Sequence, residues 1–265
     1  MSTSRPYRFL FLIGASGSGT SMLSRLLGTP ANCVCLGGSD VSVPREQRAA
    51  YRLVKQFQKA NDHVWNRWES AERAGAGRRR MLEKIDALLA MPGYEQVDTV
   101  VFKRSAPFHR GDRYRPDLRD IDGMFRDYRI LAIYRDPRAS SASSYRRKFA
   151  DNLRACAVIT EEQLTCVSAQ LATFPQERIA SFGYEDFCRE PMAHIDRIAA
   201  FCGLDAAPLE EAIAGERVAP DRIDAWKKRL DTEAGKFLDD YFDERRRSQW
   251  SHLSRTWFPG VANAT

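Results

Sequence analysis

An apolar run, Tyr7–Ile13, stops at Gly14-Ala15-Ser16-Gly17-Ser18-Gly19-Thr20-Ser21, and apolar residues then return at Met22, Leu23, Leu26 and Leu27. The first run has the length of a buried strand, and the second has helical spacing over Gly19–Leu27. Glycines let backbone N–H groups turn inward, and a helix start adds unpaired N–H groups and partial positive charge. A strand, a glycine-rich turn and a helix start together form an anion site. The spacing is G-x-x-x-x-G-K-[ST] with Thr20 in the lysine position. That lysine normally reaches the β- and γ-phosphates, so a triphosphate is poorly served here. A phosphate at the start of a nucleotide still fits. The alternative is a glycine-rich strand–helix turn with no ligand.

Three further apolar runs read as buried strands: Thr99–Lys103, Arg129–Tyr134 and Arg178–Gly183. Helical patterns lie between and after them, at Arg45–Ala71, Met81–Leu89, Arg138–Leu153, Pro191–Cys202 and Ile223–Phe242. Thr160–Gln163 matches a capping box and predicts a helix start there. Strands alternating with helices predict an α/β protein with a mostly parallel sheet. No internal repeat and no long Pro/Ser linker divides the 265 residues, so residues 1–265 read as one domain.

The 41 Lys and Arg exceed the 35 Asp and Glu by 6. That small, dispersed excess suits an anionic ligand and does not argue for nucleic acid. No run approaches the roughly 18 apolar residues of a membrane span. The first apolar run also lacks the features of a signal peptide, so the expected location is the cytoplasm. The 6 cysteines form no C-x-x-C pair and have no metal-ligand spacing with the 4 histidines, and they read as reduced, mostly buried thiols. No metal site is expected.

A second anion motif follows Arg129–Tyr134. It begins Arg135-Asp136-Pro137-Arg138, and Ser143 and Arg147 lie farther on. Pro137 suits a first helical turn. Ser143 lies eight residues after Arg135, and Arg147 four after Ser143, which places the last two one turn apart on a single face. Arg135, Ser143 and Arg147 can converge on one phosphate through charge-assisted hydrogen bonds. A solvated basic helix face is the alternative for this stretch taken alone.

The loop ending in Ser18-Gly19-Thr20, joined to R-D-P-R with a serine eight residues after its first arginine, resembles the PAPS-dependent sulfotransferase family. PAPS is 3′-phosphoadenosine 5′-phosphosulfate. The resemblance spans roughly residues 7–205, and its motifs are nearest the tyrosylprotein and carbohydrate sulfotransferase-like branch. It implies a P-loop-containing, nucleotide-hydrolase-like three-layer sandwich with a central parallel sheet. By the same resemblance Ser16, Gly17, Ser18, Gly19, Thr20 and Ser21 take the 5′ end of PAPS. Arg135 and Ser143 then take the 3′-phosphate, with Arg147 as a further arginine. Tyr184, in Tyr184-Glu185-Asp186, matches a strand-end tyrosine near the nucleotide.

Sulfuryl transfer needs a base for the acceptor and a cation at the leaving group. Family members often carry Lys or Arg where this chain has Gly17. Lys103, in Phe102-Lys103-Arg104-Ser105-Ala106-Pro107, resembles a catalytic-lysine segment and is the candidate replacement, with neighbouring Arg104 behind it. The expected base is Asp40, the closest carboxylate after the first helix, with Glu46 next and His109 as the alternative. The helix-spaced residues Phe57, Asn61, Trp65 and Trp68 read as core packing, with the lining of an acceptor pocket as the alternative, and Arg78–Arg80 and Arg245–Arg247 as solvated faces, with docking of an acidic substrate as the alternative. The expected reaction moves a sulfuryl group from PAPS to an acceptor hydroxyl or amine and releases 3′,5′-ADP. The acceptor is open among carbohydrate, peptide tyrosine, lipid and small phenol, and so is the oligomeric state. Two other readings are a P-loop nucleotide kinase with a degenerate loop, which Thr20 disfavours, and a non-catalytic PAPS-binding protein, which Gly17 favours.

Overall fold

The computed structural model describes residues 6–36, 82–83, 85–90, 92–103, 125, 127–216 and 218–261. Asp40, Glu46, Arg104, His109, the predicted helix Arg45–Ala71 with its aromatic stripe, and Arg78–Arg80 lie outside the described residues.

Five strands build one sheet: β1 (Arg8–Ile13), β2 (Cys33–Leu36), β3 (Thr99–Lys103), β4 (Tyr128–Tyr134) and β5 (Ile179–Gly183). Their order is β2-β3-β1-β4-β5, and every pairing is parallel. The chain leaves central β1 for the β2 side, then crosses over β1 to β4. That reversal makes the carboxyl ends of β1, β3 and β4 the place where an open α/β sheet binds ligands.

Alternation along β1 sends Phe9, Phe11 and Ile13 to one face and Leu10 and Leu12 to the other. All five are fully buried, because both faces are covered. The first face packs against α3 (Leu153–Leu171), through Leu164, Val167 and Leu171, and against Leu238 of α7 (Thr232–Tyr241). The second packs against α1 (Thr20–Leu27), α5 (Pro191–Cys202) and α6 (Ala206–Gly215). The result is the expected three-layer sandwich. Each buried Phe or Leu contributes about 1.5–3 kcal/mol, so two filled faces support this sheet without cross-links. The six cysteines are free thiols, five of them buried, and burial pushes the Cys35 thiol up to about 12. Among the described residues no helix is long and apolar enough to cross a membrane.

Three predicted elements differ. The helix expected over Arg138–Leu153 is two, α2 (Pro137–Arg146) and α3, because Lys148 adopts a φ of 55° and Asn152 caps α3 by accepting from the Ala155 N–H. Thr160 does not open a helix. It lies inside α3, with its hydroxyl donating to the Cys156 carbonyl at 2.9 Å. Of the stretch Ile223–Phe242, the longer helix is only α7, which starts where Asp231 caps it by accepting from the Ala234 N–H. A short 3-10 turn, Lys227–Arg229, precedes it.

Candidate active site

The loop after β1 bends where only glycine fits well. Gly17 has a φ of 88° and Gly19 one of 107°. A Cβ on Gly14 would lie 2.5 Å from both the Ile133 carbonyl and the Ser18 hydroxyl. Gly19 is the N-cap of α1 and supplies no side-chain acceptor, and the first turn holds no acidic residue. The opening N–H groups of α1 therefore keep their capacity for an external anion.

A cavity of about 880 Å³ opens over this helix start. Gly17, Gly19, Thr20 and Ser21 line it from the loop, and Lys103, Arg135, Ser143, Arg147 and Tyr184 line it from four other segments. Nine of the twelve residues expected at the site thus meet at one cavity. Ser16 and Ser18 do not line it. Ser16 points its N–H at Gln163, and Ser18 is fully buried with its N–H on the Ala15 carbonyl. Asp40 is the twelfth, outside the described residues.

Parallel pairing carries the groups to the same edge. Leu12 is in register with Lys103, and the Lys103 ammonium donates to the Ser21 hydroxyl at 3.1 Å. Arg135 leaves the end of β4, donates from Nη1 to the Gly17 carbonyl at 3.1 Å, and lies over the Tyr184 ring at 4.3 Å. Its buried Nε has no hydrogen-bond partner. Tyr184 opens α4 (Tyr184–Arg189) and packs against Gly19, where an added Cβ would stand 3.0 Å from the ring. Burial pushes the Tyr184 phenol up to about 12, against the opposing pull of Arg135. The ring stays neutral and presents its face to the guanidinium.

The residues around Arg135 explain how R-D-P-R works locally. Asp136 caps α2 by accepting from the Arg138 N–H at 2.8 Å, and Pro137 fills the first turn. Arg138 does not face the cavity: it pairs with Asp136 at 2.7 Å and Asp239 at 2.6 Å and lies over Trp226. Burial pushes the Asp136 carboxyl up, but hydrogen bonds and charge from Arg138 prevail and hold it below its ordinary value. Arg147 is the C-cap of α2, and its N–H donates to the Ser143 carbonyl at 3.2 Å. The two side chains thus stand one turn apart, as the spacing implied.

Sequence reasoning missed several cavity residues. Arg25, Arg146, Arg222 and Arg229 add positive charge, and Trp226 closes one wall. Arg25 is held by Glu216 at 2.7 and 2.9 Å. Arg222 and Arg229 come from the stretch expected to be a helix or its approach. Their nearness to the loop is tertiary, and only the basic run Lys227–Arg229 hinted at it. Of the run Arg245–Arg247, Arg246 and Arg247 donate to the Tyr241 and Phe242 carbonyls and so finish α7. Among the described residues no group of His, Cys, Asp or Glu is arranged to hold a metal ion.

A sequence profile of the sulfotransferase family matches residues 10–208. No curated protein matches the chain. Among solved structures, the sulfotransferase domain of the Synechococcus PCC 7002 olefin synthase is 15% identical, with a TM-score of 0.52 over 91% of this chain and 97% of that one. The sulfotransferase domain of the curacin biosynthetic pathway is 14% identical, with a TM-score of 0.52 over 96% and 94%. Sulfotransferase STF9 from Mycobacterium avium is 14% identical, with a TM-score of 0.52 over 97% and 79%. These likenesses concern the fold. With three-quarters of its length matched by the family profile and the two anion motifs meeting at one cavity, the chain belongs to the sulfotransferase family.

Proposed function

We propose that this protein is an enzyme that transfers a sulfuryl group from PAPS to an acceptor hydroxyl or amine and releases 3′,5′-ADP. The observation that carries the reading is the convergence of Lys103, Arg135, Ser143 and Arg147 on the cavity above the α1 N-terminus. Two separate anion sites in one cavity suit a nucleotide phosphorylated at both ends. The unpaired, buried Arg135 Nε supports the fit, since a phosphate oxygen would satisfy it.

PAPS brings the activated sulfuryl group, and the chain's residues orient it. The N–H groups of Gly19, Thr20 and Ser21 hold the 5′ end. Arg135, Ser143 and Arg147 hold the 3′-phosphate, and the Tyr184 face steadies Arg135. Lys103, already beside Ser21, is the cation that offsets negative charge building on the leaving phosphate. Asp40, Glu46 and His109 remain the candidate bases. Tyr145 and Phe149 are exposed at the cavity, at 42% and 47%, which favours an acceptor with an aromatic or apolar part beside its hydroxyl. Six free thiols support a reducing compartment, and we place the protein in the cytoplasm as one domain.

Calorimetry with 3′,5′-ADP and 5′-AMP tests the nucleotide assignment. The protein should bind 3′,5′-ADP far more tightly, and Arg135→Ala should remove about 1.5–3 kcal/mol of that preference. Equal affinity for the two nucleotides overturns it.

A further inference from the structure

Gln163 lies in the middle of α3, 147 residues from the phosphate loop in sequence, and is 1% exposed. It nevertheless makes two hydrogen bonds to one loop residue. The Ser16 N–H donates to Gln163 Oε1 at 2.7 Å, and Gln163 Nε2 donates to the Ser16 hydroxyl oxygen at 3.2 Å. From α2, the Ser144 hydroxyl donates to the Ser16 carbonyl at 3.1 Å. The backbone N–H, the carbonyl and the hydroxyl of Ser16 are thus all engaged by α2 or α3. Ser16 does not line the cavity, and these bonds make it an anchor of the loop.

The anchor joins two parts with different tasks. The loop continues into Gly17, whose carbonyl accepts from Arg135 at 3.1 Å and where an added Cβ would stand 2.5 Å from the Ser140 carbonyl and 3.0 Å from Ser143 Cβ. Helix α2 carries Ser143 and is capped at its C-terminus by Arg147. The segment assigned to the 5′ end of the nucleotide is therefore fastened to the helix assigned to its 3′ end. A ligand that bridges two subsites gains from both only when their spacing is set beforehand, because otherwise binding must order them. A ligand that occupies one subsite does not depend on the spacing.

We infer that Gln163 is a positioning residue that fixes the distance between the two anion subsites and so selects nucleotides carrying phosphate at both ends. This rests on the PAPS reading above. A buried residue needed only for packing would serve as well as Leu or Met. The amide earns its place through the pair of bonds to Ser16.

The experiment is calorimetry of 3′,5′-ADP and 5′-AMP on the wild-type protein, Gln163→Leu and Ser144→Ala. The readout is the ratio of the two affinities, which a merely structural role would leave unchanged. Gln163→Leu should lower the ratio about tenfold, as the loss of two ordinary hydrogen bonds implies, and Ser144→Ala about threefold. A lower melting temperature with the ratio kept within about twofold overturns the inference while the PAPS reading stands. A wild-type ratio near one overturns both. If Gln163→Leu does not fold, Ser144→Ala decides alone: a reduced ratio supports the inference, and an unchanged one overturns it.

Discussion

Gly17 and Gly93 share a positive φ and differ in surroundings, which allows backbone strain and crowding to be separated. Their φ angles are 88° and 91°. A Cβ on Gly93 meets nothing within 4 Å, whereas one on Gly17 lies 2.5 Å from the Ser140 carbonyl and 3.0 Å from Ser143 Cβ. The left-handed conformation costs a residue with a Cβ about 1–2 kcal/mol. Gly93→Ala should destabilise by about that amount. Gly17→Ala carries the same cost and must also displace the backbone of α2, which overpacking data put at about 1–3 kcal/mol. Urea denaturation should therefore separate the two variants by about 1–3 kcal/mol. Displacing α2 also moves Ser143 from the cavity, so affinity for 3′,5′-ADP should fall in Gly17→Ala and hold in Gly93→Ala. The same crowding bears on the missing loop cation. Gly17→Lys should lower turnover, although a cation at that position matches the wider family pattern. Equal costs for the two alanines, or faster turnover in Gly17→Lys, would refute this reasoning.

Lys103→Ala should cut turnover by about 10²–10³ while changing 3′,5′-ADP affinity little, as steady-state rates and calorimetry together would report. Tyr184→Phe should bind nucleotide like the wild type from pH 6 to 9, since the phenol, pushed up to about 12, is neutral throughout, and Tyr184→Leu should lose about 0.5–2 kcal/mol. For Asp136 the folded carboxyl titrates below its unfolded value, so its stabilisation is present above about pH 4 and is lost as pH falls through the folded value. Asp136→Asn should cost about 1.5–3 kcal/mol in thermal or urea unfolding at pH 7, and the gap to wild type should narrow as pH falls below the ordinary carboxylate range.

The strands that build the site were legible because their apolar runs are continuous and end in polar or glycine-rich residues. Thr99–Lys103 has the same bounds in sequence and structure, and β1 and β4 shift by one residue. Strand β2 was missed. Cys33-Val34-Cys35-Leu36 is four residues long, and its two cysteines read as thiols before they read as strand. The break between α2 and α3 was missed because Arg147, Lys148 and Phe149 continue a helical pattern locally, and the positive φ of Lys148 has no sequence mark. Thr160–Gln163 shows a pattern satisfied by chance: the threonine bonds back to its own helix, and the glutamine reaches the loop. That reach spans 147 residues, so no local spacing announces it. Loop glycines and the Arg135–Ser143–Arg147 spacing were legible because each is local to one turn or one helix. The cationic wall of Arg222 and Arg229 was not, because the fold brings it there.

Transfer of label from sulfur-labelled PAPS tests the central claim most directly, with a panel of phenols, tyrosyl peptides and saccharides as acceptors. Wild-type protein should place label on at least one acceptor and release 3′,5′-ADP in equal amount, and Lys103→Ala should do so at about 10²–10³ lower rate. Tight binding of PAPS with no labelled acceptor and no 3′,5′-ADP would contradict the enzyme and leave a nucleotide-binding protein in its place.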